Sequence, residues 1–189
     1  MAWHLAAGEA AHAKKRCIER ETMFIGICHL GVWLRTRTPE GIRLPTGGPG
    51  LEALRAEAKA VEDLLWALGL SPTRLCHAVR TAVGRDAYRY PTKTIVHRSQ
   101  ACKTSFRHAE TLAAAARAGE VHCLHLLAAL LEHPGVVLTR VVADCGVLVN
   151  TLHARVVATP WMREAQQAHA KHTAQGVSHL IYVGVGAPS

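Results

Sequence analysis

The residues in this sequence best suited to chemistry are histidines and cysteines. His122, Cys123 and His125 crowd together in "HCLH", Cys28 and His29 are adjacent far upstream, and His169 lies near His172. Imidazole and thiolate are zinc ligands, but a structural zinc site takes four of them in spaced pairs, and none of these clusters has a second pair to complete it. No metal and no other cofactor is expected. Nucleophilic catalysis is no better supported: Ser71 in "GLSPT" and Ser178 in "GVSHL" lack the closing glycine of G-x-S-x-G, and no H-E-x-x-H occurs. With no carboxylate pair in a recognisable setting, no catalytic residue is assigned, and the chain reads as a non-enzyme.

The two His-Leu elements instead suggest a duplication. When His29 is set against His125, an alanine stands sixteen residues upstream of each, Ala13 and Ala109, and a small residue twelve upstream, Cys17 and Ala113. A spacing of four is about one helical turn, so each pair shares a face. Downstream, an apolar helix ends at Gly69 in one copy and at Gly146 in the other, each suited to a left-handed C-terminal position, and Leu75 and Leu152 coincide after it. On this register the first copy is longer by roughly 19 residues, carried mostly by "TRTPEGIRLPTGGPGLEALRAEAK".

The elements that must position these residues are helices. Ala, Leu, Arg, Val and His dominate and aromatics reach only 5%, so the expected class is all-α, a pseudo-twofold duplication of a four-helix repeat with an extra C-terminal segment. Apolar spacing places helices near Ala2 to Glu21, Ile27 to Arg37, Leu51 to Leu68 and Pro72 to Val83, then near Thr94 to Ala118, Leu124 to Glu132, Val136 to Asp144 and Leu148 to Ala158. The first unit is then 1–83 with an inserted Pro/Gly-rich loop at about 36–50, 84–92 is a connector, 93–158 is the second unit, and 159–189 is an extension. Trp33 and Trp66 sit on helical stripes and are expected in the core, Trp3 and Trp161 at the surface.

Charge and cysteine usage bound the partners. The net charge is +8, but the basic residues are scattered and never form a run of five, so a solvated basic surface is favoured over nucleic-acid binding. A small basic helical nucleic-acid-binding regulator is kept as the alternative. The six cysteines form no C-x-x-C and mostly occupy apolar positions, and no stretch reaches the about 18 apolar residues of a membrane span, so a cytoplasmic protein is expected.

The Ala, Ala and His register in two tandem units, with "HLLAALL" and "AVEDLLWALGL", resembles the Clp N-terminal domain that heads the ClpA, ClpB and ClpC unfoldases, over about residues 4 to 158. The resemblance implies an all-helical, non-catalytic module that receives substrates or adaptor proteins for an ATPase ring. No G-x-x-x-x-G-K-[ST] occurs here, since none of the six lysines follows a glycine, so the likeness is to the N domain without its motor.

The family typically reads G-T-E-H-L-L at the second helix of each unit, and in ClpC-type domains the glutamate helps bind phosphoarginine. On the His29/His125 register both glutamates are replaced, by Cys28 and Leu124, and both threonines, by Ile27 and Cys123. Loss of the carboxylates removes charge-assisted bonds to a guanidinium and predicts weak or absent phosphoarginine binding. If exposed, Ile27, Cys28, Cys123 and Leu124 would form an apolar partner-binding surface for a protein or peptide: a Clp ATPase, an adaptor or an unfolded substrate. Buried, they would be mere repacking. His29 and His125 are expected to fix helix entries rather than to catalyse.

Overall fold

Two uninterrupted apolar runs occupy the centre of the molecule. Every residue from Thr22 to Cys28 is buried, and so is every residue from Cys123 to Leu131. A helix buried on all sides has neighbours all round it. In the computed structural model, which describes residues 1–36, 50–90 and 95–162, these runs belong to α2 (Arg20–Thr36) and α6 (Cys123–Glu132). Around them stand α1 (Ala2–His12), α3 (Leu51–Ala67), α4 (Pro72–Val83), α5 (Gln100–Ala115), α7 (Gly135–Asp144) and α8 (Val149–Val157). The described residues contain no strand, only one isolated parallel bridge between Ile18 and Arg98.

Small residues bring the helices together. Ala2, Ala6 and Ala10 make a one-turn-spaced buried stripe on α1, and Gly26 of α2 lies against it. A Cβ built on Gly26 would stand 2.5 Å from the Ala2 carbonyl oxygen and 2.9 Å from the Ala6 nitrogen, both backbone atoms, so only glycine fits. The helix starts are chemically marked. Ser71 Oγ accepts the Arg74 N–H at 3.4 Å ahead of Pro72, and Ser99 Oγ accepts the Cys102 N–H at 3.2 Å. Every helix of the first unit has a counterpart in the second, giving the all-α, pseudo-twofold duplication.

The register between the copies differs from the expected one. Lys14 (φ 53) and Arg117 (φ 49) are the two positive-φ residues other than glycine among the described residues, and each ends a helix. Both turns close alike, with Lys15 N–H donating to Ala10 O and Ala118 N–H to Ala113 O, each at 2.9 Å. At the next helix start, Glu19 N–H donates to Thr22 Oγ1 at 3.0 Å, and His122 N–H donates to His125 Nδ1 at 3.1 Å. Lys14 therefore corresponds to Arg117 and Thr22 to His125, and Ala6 and Ala10 correspond to Ala109 and Ala113.

His29 and Ala13 thus drop out of the repeat as its matched positions. His29 is half-buried in the middle of α2, about two turns beyond the cap, while Ala13 follows α1 as its C-cap. The expected first helix, Ala2 to Glu21, is two elements: the left-handed turn at Lys14 stops α1, and α2 starts at Arg20 rather than near Ile27. Downstream, Gly69 (φ 73) and Gly146 (φ 86) do hold left-handed C-terminal turns, and Leu75 and Leu152 are both buried after them. Residues 37–49, in the expected loop, 91–94, in the connector, and 163–189, most of the extension, lie outside the described residues.

Candidate functional site

Ile27 and Cys28 are each 1% exposed, Leu124 2% and Cys123 8%. The partner-binding surface expected there is core, because α2 and α6 are the two central helices. The thiols behave accordingly. A hydrogen bond with Cys76 and burial hold Cys28 well above the usual thiol range, and burial with the Glu57 carboxylate does the same for Cys123. The corrected register also returns one carboxylate. Glu21 occupies the position of Leu124, so the first unit carries a carboxylate where the second has an apolar side chain. Glu21 is half-buried in the first turn of α2, and a Cβ on Gly135 would lie 3.7 Å from its Oε1.

One charged residue at a core-stripe position organises the second unit. Glu57 is on the core-facing stripe of α3, one turn from Leu54 and from Val61, and is only 6% exposed. Its Oε1 lies 2.8 Å from His122 Nδ1 and its Oε2 accepts the Cys123 N–H at 2.9 Å. A carboxylate from the first unit thus closes the N-terminus of α6, where free N–H groups and the helix dipole favour negative charge. His125 Nδ1 accepts the His122 N–H, so in the neutral imidazole the proton sits on Nε2, which is buried without a hydrogen-bond partner. Burial, with the neighbouring His122 charge, lowers the His125 pKa from its ordinary 6.5.

Next to this clasp the pseudo-symmetry breaks. α4 packs closely on α7, but α3 and α8, which the duplication relates to them, touch far less. Between them lies an open cleft of about 460 Å³, floored by Ala60 and Leu64 of α3, walled by Ala158, Thr159 and Pro160, and edged by Asp63 and Arg155. Trp161 stands at its lip, 37% exposed, with its ring edge-on to His122 at 5.6 Å. A second groove of about 550 Å³ follows the other side of α3, where Arg35 forks onto Glu62 at 2.7 and 2.9 Å above Gly31. Trp66 borders it and is 59% exposed, against the expectation that it is core, since α3 turns that face away from both central helices. Trp3 and Trp161 are exposed as expected, and Trp33 is half-buried against the core.

His122 and His125 spend their Nδ1 atoms on Glu57 and on a backbone N–H, and no group of three His, Cys, Asp or Glu residues among the described residues is placed to hold a metal. His29 Nδ1 is 3.8 Å from Glu9 Oε1, beyond hydrogen-bond reach. Among the described residues no single helix is long and apolar enough to cross a membrane.

Two four-helix units, each with a buried central helix and a left-handed exit turn, define a Clp N-like helical module. The structure is similar to the Hsp104 N-terminal domain from Candida albicans, with a TM-score of 0.57 and 11% identity, covering 83% of this chain and 85% of that one. The chain therefore has the Clp N-domain fold. No family model matches the sequence. No curated protein matches it either.

Proposed function

We propose that the protein is a non-catalytic module that binds an apolar segment of a protein or peptide in the cleft between α3 and α8. The observation that carries this is the cleft itself: an apolar floor of Ala60 and Leu64, an exposed Trp161 at the lip, and one charge of each sign, Asp63 and Arg155, at the edge. Exposed tryptophan beside a desolvated pocket is a common anchor of protein interfaces. The Clp N-like fold agrees with a partner drawn from Clp-dependent proteolysis, namely an unfolded substrate, an adaptor or a Clp ATPase that the module assists or competes with. Six free thiols, four of them buried, fit a reducing, cytoplasmic setting.

Fluorescence anisotropy with a permanently unfolded, labelled polypeptide tests this reading. Saturable binding that is weakened tenfold or more, roughly 1.4 kcal/mol, by Leu64→Asp or Trp161→Ala, and left intact by Trp3→Ala, is the expected result. Equal affinity for all four proteins would remove it.

A further inference from the structure

The basic residues that are scattered in sequence meet along one edge of the fold. After the turn at Lys14 the chain runs through Lys15, Arg16 and Cys17 to Ile18, and the link between the two units returns beside it. Asp86 N–H donates to Ala13 O at 2.9 Å, Lys15 Nζ reaches Val83 O at 3.0 Å and Asp86 Oδ1 at 2.9 Å, and the Tyr90 hydroxyl donates to Lys15 O. Farther along, Ile18 N–H donates to His97 O at 2.8 Å and Ser99 N–H to Ile18 O at 3.0 Å. These bonds hold the exposed Lys14, Arg16, Arg85 and Arg89 within a few residues of shared fixed points. None of the four forms an ion pair among the described residues, and the neighbouring acid Asp86 is taken by Lys15. Between Arg85 and Arg89 lies Tyr88, 37% exposed and edge-on to Tyr90 at 4.9 Å.

The fold does not require the charges that follow the turn. The second unit builds the same left-handed turn at Arg117 and then reads Ala118, Gly119, Glu120 and Val121 where the first reads Lys15, Arg16, Cys17 and Ile18. Each copy has a basic residue at the turn itself, but only the first copy follows it with two more, Lys15 and Arg16. Uncompensated cations on irregular, exposed backbone raise the local potential for an anion, and guanidinium groups match phosphate oxygens two at a time. An aromatic ring flanked by arginines adds a face on which a base stacks.

We infer that this edge, from Lys14 to Arg16 and from Arg85 to Arg89, binds single-stranded nucleic acid without sequence selectivity. The strip is irregular backbone, with no helix or ribbon to enter the groove of a duplex, which favours a single strand. An acidic polypeptide would answer the charge but would give Tyr88 no base to stack on. The site is formed by elements other than α3 and α8, so it is a second activity, independent of the cleft.

Anisotropy of a labelled oligothymidylate of about 20 nucleotides, titrated with the full chain at increasing sodium chloride, tests the assignment. Saturable low-salt binding is expected, with a log–log salt slope near about −3 for four phosphate contacts. Arg85→Glu with Arg89→Glu should lower affinity about tenfold or more and flatten the slope, while Tyr88→Ala should lower affinity severalfold at unchanged slope. Arg74→Glu with Arg140→Glu, an equal charge change on exposed residues elsewhere, should leave affinity within about twofold. All these side chains are exposed, and unchanged circular-dichroism melts confirm folding. Absence of low-salt binding, an equal loss in the Arg74/Arg140 pair, or equal competition by polyglutamate with no effect of Tyr88→Ala would each overturn it.

Discussion

Glu57 of the first unit grips His122 of the second: Oε1 lies 2.8 Å from His122 Nδ1 while Oε2 takes the Cys123 N–H at 2.9 Å, so a single buried carboxylate serves as the cap of α6 and as a clasp between the repeats. Removing the carboxylate leaves the buried Cys123 N–H without its acceptor and His122 without its partner, at a cost of about 1–3 kcal/mol. Glu57→Ala should lose stability of that order in urea unfolding. Glu57→Gln, which retains one acceptor, should lose less.

Close packing of α1 on α2 predicts a second effect. A methyl group at Gly26 meets two backbone atoms that cannot rotate away. Gly26→Ala should destabilise by about 1–3 kcal/mol, because overpacking forces a backbone shift. The same substitution at exposed Gly119, where a Cβ meets nothing within 4 Å, should have little effect on the midpoint.

Stability should also fall on mild acidification. His125 and His29 both have pKa values lowered from 6.5 by burial, with His122 and Arg80 respectively adding to the effect. Below 6.5 the unfolded chain takes up protons that the folded chain resists, so stability is full above that pH and declines as pH drops toward the folded values. Thr22 performs in the first unit the capping that His125 performs in the second. His125→Thr should therefore flatten the pH dependence measured by urea unfolding between pH 7.5 and about 5.5, even though the smaller side chain lowers overall stability.

Thiol labelling gives a further check. Cys145 is the one exposed cysteine, whereas Cys28, Cys76, Cys102 and Cys123 are buried. Burial raises Cys102 to about 11, and burial with a hydrogen bond to Glu19 raises the half-buried Cys17 to about 11. With Ellman's reagent at neutral pH, one thiol should react rapidly, Cys17 slowly, and the buried four only at the rate of unfolding.

The helices were legible in the sequence wherever punctuation was chemical. Pro72 after Ser71 marks the start of α4, and Gly69 and Gly146 mark turns they do hold. The start of α2 was not legible, because the run from Thr22 to Cys28 is buried on all sides and carries no helical period, and because Lys14 adopts a conformation that usually signals glycine. That left the repeat register free to slide by nearly two turns onto the conspicuous His29. The equivalence of Thr22 and His125 was equally hidden, since two unlike side chains accept the same backbone bond. Glu57 sits at a core-stripe spacing, but its partners His122 and Cys123 are 65 and 66 residues away, and the cleft arises from a departure from symmetry between α3–α8 and α4–α7 that no single-chain pattern encodes.

Polypeptide binding in the cleft is most directly tested by the emission of Trp161 alone, in a chain carrying Trp3→Phe, Trp33→Phe and Trp66→Phe. Trp161 is 37% exposed at the lip of the cleft, so its emission reports directly on occupancy. Saturation with an unfolded polypeptide should shift the emission to shorter wavelength, with a midpoint matching the binding curve seen by anisotropy. Binding by anisotropy with no change in Trp161 emission would place the polypeptide elsewhere and contradict binding in the cleft.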